Sequence, residues 1–377
     1  MHLNDLIPAD DLAAALDAGH VTRKEHPAAP LAIFTYTRVC QYDNIWTPVT
    51  MRCRGLIVDQ PTQQIVALPF PKIFVTGMHG VGRPFAPPLP AEPFEIFEKL
   101  DGSLAIVFHY NGRWHAASKG SFISEQATWA QAWVDAHDTS RLDPTLTYLA
   151  EAIYPGNRIV VDYGDREALV LLAAYRPADG TEEPLASVAE RWAPIGPTAG
   201  AWGLRSDITE LEKLAANDTT VDGDSVSGTA EEGYVIRFAS GLRAKVKLSA
   251  YLSLHKLYTG TNERTVWEVL ASGQDPAVLF DHVPDEFADW VRGIADRLRT
   301  EHDRLVREAT DAYAEIVGIR LGTLGFTRKE FALQAAKSPH RSALFLLLDG
   351  NTAKLDAWAW KQIKPRGEQS FKTDEEG

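Results

Sequence analysis

The sequence is poor in cysteine, in basic residues relative to acidic ones, and in long apolar runs. Its 377 residues include only 2 cysteines, and Cys40 and Cys53 form no C-x-x-C pair, which excludes a disulfide scaffold and a thiolate zinc site. No segment reaches the ~20 apolar residues of a membrane span. The amino terminus also lacks the basic region and apolar run of a signal peptide. We therefore expect a soluble, cytoplasmic protein that does not bind membranes.

The charge balance is acidic. With 38 basic and 51 acidic residues the formal net charge is −13, which argues against a protein that coats nucleic acid by charge alone. Net charge does not reveal where the cations lie, however. The hydrophobic content of 45% excludes a disordered chain, and at ~150 residues per domain the length predicts two to three domains. The absence of a G-x-x-x-x-G-K-[ST] loop argues against P-loop kinase activity.

The pattern of apolar residues changes near residue 253. Before it, short apolar runs between Gly, Asn and Asp predict strands; they are GLIVD, FEIFE, LAIVFHY, NRIVVDY, ALVLLAAY and GYVIRF. After it, apolar residues recur at spacings of three and four, which predicts helices. The predicted helices cover Pro284–Gly318, 327–337, 341–348 and 352–363. The chain is thus predicted to hold a mixed α/β domain over 1–253 and an all-helical domain over 254–377, with a frayed tail after Lys364.

The segment FEIFEKLDGSLAIVFHYNGRWHAASKGS predicts a β-hairpin that gathers lysines. Asn111-Gly112 lies between two alternating runs, and both residues accept the positive φ of a tight turn. A two-residue turn there places Lys119 beside the turn that carries Lys99 and Asp101. Clustered ammonium groups lower one another's pKa, which is one way in which a lysine becomes a neutral nucleophile. An ordinary hairpin with surface lysines is the alternative reading.

A second hairpin is predicted in EEGYVIRFASGLRAKVKLSAY. With Ser240-Gly241 at the centre of a two-residue turn, the strand period of two puts five residues on one sheet face. They are Glu232, Tyr234, Ile236, Lys245 and Lys247. Two lysines on one strand face require either an anion, such as a phosphate chain, or solvent. A three-residue turn would shift this register by one residue.

The sequence Lys99-Leu100-Asp101-Gly102-Ser103 resembles the K-x-D-G nucleophile motif of covalent nucleotidyltransferases. That superfamily contains DNA ligases, RNA ligases and messenger RNA capping enzymes. The order of the surrounding motifs is more specific: RGLIVD and PFPKIF precede it, and SKGS, AEAIYPGNRIVVDYG, EEGYVIRF and AKVK follow. In this order the chain resembles the RNA ligase family typified by the T-even bacteriophage enzyme that repairs nicked transfer RNA.

The resemblance implies an α+β fold, in which a nucleotidyltransferase domain of antiparallel sheets and helices precedes the helical domain. It also implies an ATP-dependent RNA ligase. Lys99 would attack the α-phosphorus of ATP to form lysyl-AMP, AMP would pass to an RNA 5′-phosphate, and a 3′-hydroxyl would displace AMP. In-line displacements at phosphorus ask the protein mainly for positioning and charge neutralisation. The implied partners are RNA ends, including those of broken transfer RNA, and an end-healing kinase-phosphatase.

The resemblance assigns roles by position in this chain. The expected catalytic residues are Lys99, Lys119, Lys245 and Lys247. The expected nucleotide-binding residues are Arg54, Lys72, Phe74, Lys99, Gly102, Glu151, Glu232, Gly233, Lys245 and Lys247. Glu151 and Glu232, with Asp101 in support, are the expected ligands of Mg²⁺ or Mn²⁺, because hard cations prefer oxygen. Tyr36, Arg38 and Gln41 are further candidates for the ATP pocket.

These assignments predict a local positive cleft on an acidic surface. Six cations are expected to converge there: Arg54, Lys72, Lys99, Lys119, Lys245 and Lys247. The doubled Glu231-Glu232 is read with Glu232 as the functional residue, because it directly precedes Gly233. The alternatives are a DNA ligase, a GTP-using capping enzyme, or a catalytically silent RNA-binding module of the same fold.

Overall fold

The computed structural model describes residues 1–279, 285–318 and 327–365. They divide into two compact units, Met1–His255 and a second unit that begins at Lys256. The boundary expected after residue 253 falls within the helix Ser249–Gly260, close to this division; the roles expected of the two domains remain predictions. The tail expected to fray after Lys364 lies, beyond Pro365, outside the described residues.

The first unit is built on strands. In chain order they are β1 (Val21–Glu25), β2 (Leu31–Tyr36), β3 (Arg54–Asp59), β4 (Ile65–Ala67), β5 (Phe74–Val75), β6 (Phe94–Lys99), β7 (Ser103–Tyr110), β8 (Arg113–Ser118), β9 (Thr147–Ile153), β10 (Ala168–Tyr175), β11 (Glu182–Glu183), β12 (Ala201–Arg205), β13 (Gly233–Phe238) and β14 (Arg243–Lys247). Its helices are α1 (Leu3–Leu6), α2 (Ala9–Asp17), α3 (Arg38–Tyr42), α4 (Pro48–Arg52), α5 (Glu125–Ala136), α6 (Leu185–Trp192), α7 (Ile208–Ala216) and the start of α8 (Ser249–Gly260).

Three sheets order these strands. The first has the order β1-β2-β3-β4, the second β11-β10-β9-β7-β8 and the third β12-β6-β13-β14-β5. Neighbouring strands are antiparallel except for β14 and β5, which run parallel. The sheets and helices confirm the expected α+β class.

Strand β7 connects two apolar cores. Leu104, Ile106 and Phe108 pack into a core shared with the first sheet and α1 and α2. Ala105 and Val107 face the opposite way, toward α5 and α6. This alternation is the period of two that a strand imposes, and burial on both faces explains why LAIVF reads as a continuous apolar run.

The first predicted hairpin is confirmed. Tyr110 pairs with Arg113 across the turn, and Ala105 pairs with Ser118 at the other end. Asn111 and Gly112 both have positive φ, 48° and 77°, as a two-residue turn of this kind requires.

The register predicted for the second hairpin is wrong by one residue. Lys245 lies opposite Val235, and Lys247 lies opposite Gly233. The loop has three residues rather than two, because the N–H of Phe238 donates to the carbonyl of Leu242 and Gly241 takes φ +86°. The lysines therefore share a face with Val235, not with Tyr234 and Ile236, whose side chains are fully buried on the other face.

The segment NRIVVDY was predicted as a strand but forms no ladder. Its Asn157 ends a short 3₁₀ helix, Pro155–Asn157. The N–H groups of Val160 and Val161 instead donate to the carboxylate of Asp101, at 2.7 and 2.8 Å. Both valines are buried, so a tertiary hydrogen-bond acceptor has replaced the strand partner that the apolar pattern indicated.

The second unit is helical in its described part. After α8 it contains α9 (Glu263–Ala271), α10 (Asp285–Gly318), α11 (Arg328–Ala335), α12 (Arg341–Leu348) and α13 (Thr352–Gln362). The long predicted helix is confirmed from Asp285 to Gly318, whereas its predicted first residue, Pro284, lies outside the described residues. Small apolar clusters join α10 to the helices that follow it. No helix in the described part of the chain is long and apolar enough to span a membrane.

Candidate active site

The proposed nucleophile lies at the end of a strand beside a buried carboxylate. Lys99 is the last residue of β6 and pairs with Gly233 of β13. Its ammonium donates to one carboxylate oxygen of Glu232 at 2.7 Å, and the ammonium of Lys247 lies 2.9 Å from the other oxygen. All three side chains are at most 12% exposed. Glu232 therefore bridges two lysines that come from β6 and β14, the strands on either side of β13.

Gly233 makes this bridge possible. Its φ is +136°, and a Cβ at this position would lie 2.2 Å from the carbonyl oxygen of Val246. Strand alternation would send the Glu232 side chain to the face opposite Gly233 and Lys247. The irregular backbone at Gly233 instead brings Glu232 to Lys247 and Lys99, and only glycine fits that backbone.

The carboxylates hold Lys99 in its charged form. Burial alone would lower the pKa of the Lys99 ammonium, but Glu232, Glu151 and Asp101 together raise it above its usual value. Burial likewise raises the pKa of Glu232, yet Lys99 and Lys247 hold it below its usual value. The lowered pKa expected for Lys99 is thus wrong in this arrangement, because its closest partner is a carboxylate and not another lysine.

The turn after Lys99 is fixed by Asp101. One oxygen of its carboxylate accepts the N–H groups of Val160 and Val161, and the other accepts the hydroxyl of Tyr251 at 2.8 Å. The N–H of Asp101 donates to the hydroxyl of Tyr163 at 2.9 Å. Both carboxylate oxygens are engaged by protein donors, so the visible contacts of Asp101 fix the turn; its expected supporting role toward metal remains a prediction.

Gly102 and Glu151 hold the other side of the same turn. A Cβ on Gly102 would lie 2.6 Å from the carbonyl oxygen of Ala152 on β9, so close approach of β9 already requires glycine here. The N–H of Gly102 donates to Glu151 at 3.1 Å. Burial raises the pKa of Glu151 to about 7, against the opposing effect of Lys99.

A cavity opens beside Lys99, between the second and third sheets. Its charged lining residues are Arg54, Glu98, Lys99, Glu151, Arg243 and Lys245. The remaining wall is largely apolar, with Phe70, Phe97, Leu104 and Val235 among its residues. One terminal nitrogen of Arg54 is buried without a hydrogen-bond partner in the described part of the chain. Because buried donors are normally satisfied, this nitrogen fits an anionic ligand.

Lys72 and Lys119 meet at an aromatic cluster. The ammonium of Lys72 lies 4.8 Å from the centre of the Trp46 ring and 5.2 Å from that of Tyr36. The ammonium of Lys119 lies 5.4 Å from the centre of the same Tyr36 ring. Phe74 is buried in this cluster and packs edge-on against Trp46, 5.6 Å between centroids. Its contacts make Phe74 a support of the cluster.

Neighbouring backbone segments bring the two groups of cations close in the fold. Arg54 pairs with Thr35, next to Tyr36, and Val75 of β5 pairs with Lys245. The ideal Cβ position at Gly55 lies 3.4 Å from the Cα of Lys119. Of the six expected cations, Lys99 and Lys247 thus lie on a carboxylate, Lys72 and Lys119 lie over rings, and Arg54 and Lys245 line the cavity. Of the weaker candidates, Arg38 is exposed on α3 and Gln41 is half-buried there.

A cluster of ion pairs at the far end of the cavity joins the second and third sheets. The guanidinium of Arg243 lies 4.9 Å from the centre of the Phe70 ring. It donates to Tyr175 at 3.0 Å and to both oxygens of Glu182 on β11. Arg237 also donates to Glu182, at 3.1 Å. This ion cluster fixes β11 of the second sheet against β13 and β14 of the third.

The expected metal ligands do not surround one point. Among the described residues there is no group of three or more His, Cys, Asp or Glu side chains placed to hold a metal ion. Mg²⁺ commonly keeps several waters and binds one or two carboxylates together with substrate phosphates. Glu151 and Glu232 are buried carboxylates beside the cavity and fit that kind of site, whereas a closed protein cage does not fit.

Several site residues were missed from the sequence. Trp46 contacts Lys72, and Tyr163 and Tyr251 hold the Asp101 turn. Tyr251 lies in YLSLHKL, which directly follows the last motif, so its position was a usable signal. Trp46 has no such signal, because its role depends on a ring face that only the tertiary structure shows.

Comparison with known proteins shows which family the chain matches. A family described as RNA ligase matches residues 52–252. A putative bifunctional polynucleotide kinase/RNA ligase from Autographa californica nuclear polyhedrosis virus is 24% identical over 273 residues, which cover 65% of this chain and 37% of that protein. The chain thus spans well under half the length of this relative.

Solved structures of an RNA ligase from Naegleria gruberi are also similar. The ligase with PPi is 16% identical, with 44% of this chain and 52% of that chain covered and a TM-score of 0.36. A mutant of it with ATP and Mn is 18% identical over the same shares, with a TM-score of 0.34. The match to the RNA ligase family spans more than half of the 377 residues and contains nearly every residue of the site described above. The chain belongs to the RNA ligase family.

Proposed function

We propose that this chain is an ATP-dependent RNA ligase that joins a 3′-hydroxyl to a 5′-phosphate through lysyl-AMP on Lys99. The observation that carries the proposal is the position of Lys99. It is buried at the end of β6, bonded to Glu232 and on the wall of a cavity that also contains Arg54 and Lys245. A lysine nucleophile beside a cation-lined cavity suits attack on a nucleoside triphosphate.

In the first step the Nζ of Lys99 forms a bond to the α-phosphorus, and the bond from that phosphorus to the bridging oxygen of pyrophosphate breaks. Lys99 has to lose a proton to solvent before it attacks, and Glu232 accepts its hydrogen bond in the resting arrangement. Arg54 and Lys245 are placed to neutralise charge on the phosphates. The fixed Asp101 turn holds the nucleophile at a constant position, which favours an in-line approach.

In the later steps AMP passes to the RNA 5′-phosphate, and the 3′-hydroxyl then displaces AMP. A divalent cation, Mg²⁺ or Mn²⁺, would neutralise phosphate charge when bound, with Glu151 and Glu232 holding it directly or through water. The Naegleria structures with ATP and Mn support this choice of cofactors. Lys119, which follows β8, and Lys247 of β14 would complete the positive surface around the phosphates.

Broken transfer RNA is the proposed substrate, in RNA repair. Such ends need healing before they can be sealed, so a kinase-phosphatase is the proposed functional partner. The viral relative, whose name couples a polynucleotide kinase to an RNA ligase, supports this pairing. The helical unit is proposed to contribute to the choice of RNA.

Covalent labelling tests the proposal. With [α-³²P]ATP and Mg²⁺ or Mn²⁺ the wild type is expected to acquire label that survives denaturation, and Lys99→Ala to acquire none. Lys24→Ala, which changes an exposed lysine on β1, is the matched control and should label normally. Label on Lys99→Ala would show that the nucleophile is misassigned.

The alternatives give different patterns in the same assay. A capping enzyme would take label from GTP in competition with ATP, and a DNA ligase would seal DNA ends in preference to RNA ends. A silent binding module would acquire no label with either metal. Sealing of broken transfer RNA compared with generic single strands then tests the proposed substrate.

A further inference from the structure

The segment between β9 and β10 folds over the turn that follows the proposed nucleophile. The hydroxyl of Ser103, at the end of that turn, donates to the amide oxygen of Asn157 at 2.9 Å. The N–H groups of Val160 and Val161 donate to the carboxylate of Asp101, in the middle of the turn. The segment therefore contacts the turn at more than one point, and it does so through hydrogen bonds outside any sheet.

Tyr163 adds a contact from the end of the same segment. Its hydroxyl accepts the N–H of Asp101 at 2.9 Å, and its ring packs against a small apolar cluster that includes Leu100 and Ile153. Asp101 is 2% exposed, so its N–H needs a protein partner. Because β6 ends at Lys99, the sheet ladder does not reach this N–H, and the hydroxyl of Tyr163 takes the place of a strand partner.

The residue before Tyr163 connects the segment to the chain that carries Glu232. The N–H of Asp162 donates to the carbonyl of Thr229 at 2.8 Å, three residues before Glu232. Glu232 in turn accepts the ammonium of Lys99 at 2.7 Å. Two consecutive residues of one segment thus contact the backbone on both sides of the Lys99–Glu232 pair, so the segment holds the two sides in a fixed relation.

We propose that Tyr163 is a positioning residue that holds Lys99 for the two steps in which its Nζ makes or breaks a bond to phosphorus. The inference rests on the proposed function and deepens it, because it separates the steps that depend on the Tyr163 hydroxyl. In the first step Nζ bonds to the α-phosphorus, and in the second an oxygen of the RNA 5′-phosphate displaces Nζ. In the last step the 3′-hydroxyl displaces AMP from the RNA end and no bond to Lys99 changes, so Tyr163 should matter little there.

The test measures the three steps separately in Tyr163→Phe. This substitution keeps the ring and removes only the acceptor of the Asp101 N–H, which leaves a buried donor unpaired. We expect the kcat of lysyl-AMP formation, and the rate of AMP transfer from the isolated lysyl-AMP enzyme to an RNA 5′-phosphate, to fall about 5- to 30-fold. The KM for ATP and the rate of sealing RNA that already carries AMP at its 5′ end should stay within about twofold.

Tyr148→Phe is the matched control. The hydroxyl of Tyr148 accepts the N–H of Asp143 at 2.9 Å, a bond of the same kind and length, and the ring is buried in the core beside α5 and α6. This variant should leave all three steps within about twofold of the wild type. Hydrogen exchange gives a second readout: the peptide that contains Asp101 should exchange about threefold faster or more in Tyr163→Phe, and at the wild-type rate in Tyr148→Phe.

Equal loss in all three steps would mean that Tyr163 supports the whole fold rather than the nucleophile, and would overturn the inference. A raised KM for ATP with an unchanged kcat would also overturn it, because the hydroxyl would then act on the substrate and not on Lys99. Wild-type rates in Tyr163→Phe, beside a wild type that labels normally, would contradict the inference and leave the proposed function standing. A wild type that forms no lysyl-AMP would instead contradict the proposed function, and the inference with it.

Discussion

The two groups of lysines in this protein are held in opposite ways. Lys99 and Lys247 share the carboxylate of Glu232, whereas Lys72 and Lys119 lie over the rings of Tyr36 and Trp46. The carboxylates around Lys99, the proposed nucleophile, raise its pKa and so keep it charged in this arrangement. Ring faces attract a lysine through their quadrupole and bring no counter-charge of their own. The first kind of contact suits a residue that reacts, and the second suits residues that bind.

The largest expected effect comes from the carboxylate itself. Glu232→Gln leaves Lys99 and Lys247 without the charge that orders them, and we expect lysyl-AMP formation to fall by about 10²–10³-fold, equivalent to about 3–4 kcal/mol. Single-turnover labelling with ATP measures it. Glu231→Gln is the matched control, since this neighbour contacts neither lysine in the described hydrogen bonds and ion pairs. A similar loss in both variants would mean that lysyl-AMP formation does not depend on the contacts between Glu232 and the two lysines.

The next effect concerns the backbone that lets Glu232 reach its lysines. Gly233→Ala would place a Cβ 2.2 Å from the carbonyl of Val246 at φ +136°, and should lower the free energy of unfolding by about 2–3 kcal/mol. Gly241→Ala is its control, because that glycine has φ +86° but open space around it, and should cost about 1 kcal/mol. Urea denaturation measures both. Equal losses would show that φ, and not the close contact, sets the cost.

The smallest expected effect is on stability and concerns Arg243. This residue contacts both an aromatic ring, that of Phe70, and a carboxylate, that of Glu182. Burial would raise the pKa of Glu182, but Arg243 and Arg237 hold it below its usual 4.5. Its stabilising contribution is therefore present above pH 4.5 and is lost as the pH falls through the lower folded-state pKa. Glu182→Gln should be about 2 kcal/mol less stable at neutral pH and should approach the wild type in acid.

Denaturation between about pH 3 and pH 7 measures this difference. Gly241→Ala serves as the contrast, because this substitution removes no titratable group, and its difference from the wild type should stay constant. A difference for Glu182→Gln that does not change with pH would mean that the Phe70 ring, rather than the ion pair, holds Arg243.

Local sequence rules account for much of the fold. Asn111-Gly112 predicted the first hairpin and its register correctly, because both residues accept the positive φ that a two-residue turn requires. The apolar spacing of the helical unit predicted α10 to α13 because each helix buries one face. The second hairpin failed because Ser240-Gly241 is compatible with two loop lengths, and a single residue reverses every side chain of the strand.

The sequence predicted some residues of the site and missed others. The motif order pointed to Lys99, Glu232 and Lys247, which do meet in the structure. Their meeting still depends on the backbone of Gly233, which overrides the alternation that sequence reasoning assumed. The contribution of Trp46 could not be predicted, since a cation–π contact between residues that are distant in sequence leaves no periodic pattern. The roles assigned to these residues in the reaction stay predictions until the variants above are measured.

The rates at which the two cysteines react with a thiol reagent report how often the structure around each of them opens. Both are buried, and burial raises the pKa of each thiol, to about 12 for Cys53. Cys40 lies in the same cluster as Trp46, while Cys53 belongs to the large core around the first sheet. A thiol reagent can reach each one only after its surroundings open, so the difference between the two labelling rates separates local opening of the aromatic cluster around Trp46 from unfolding of the core.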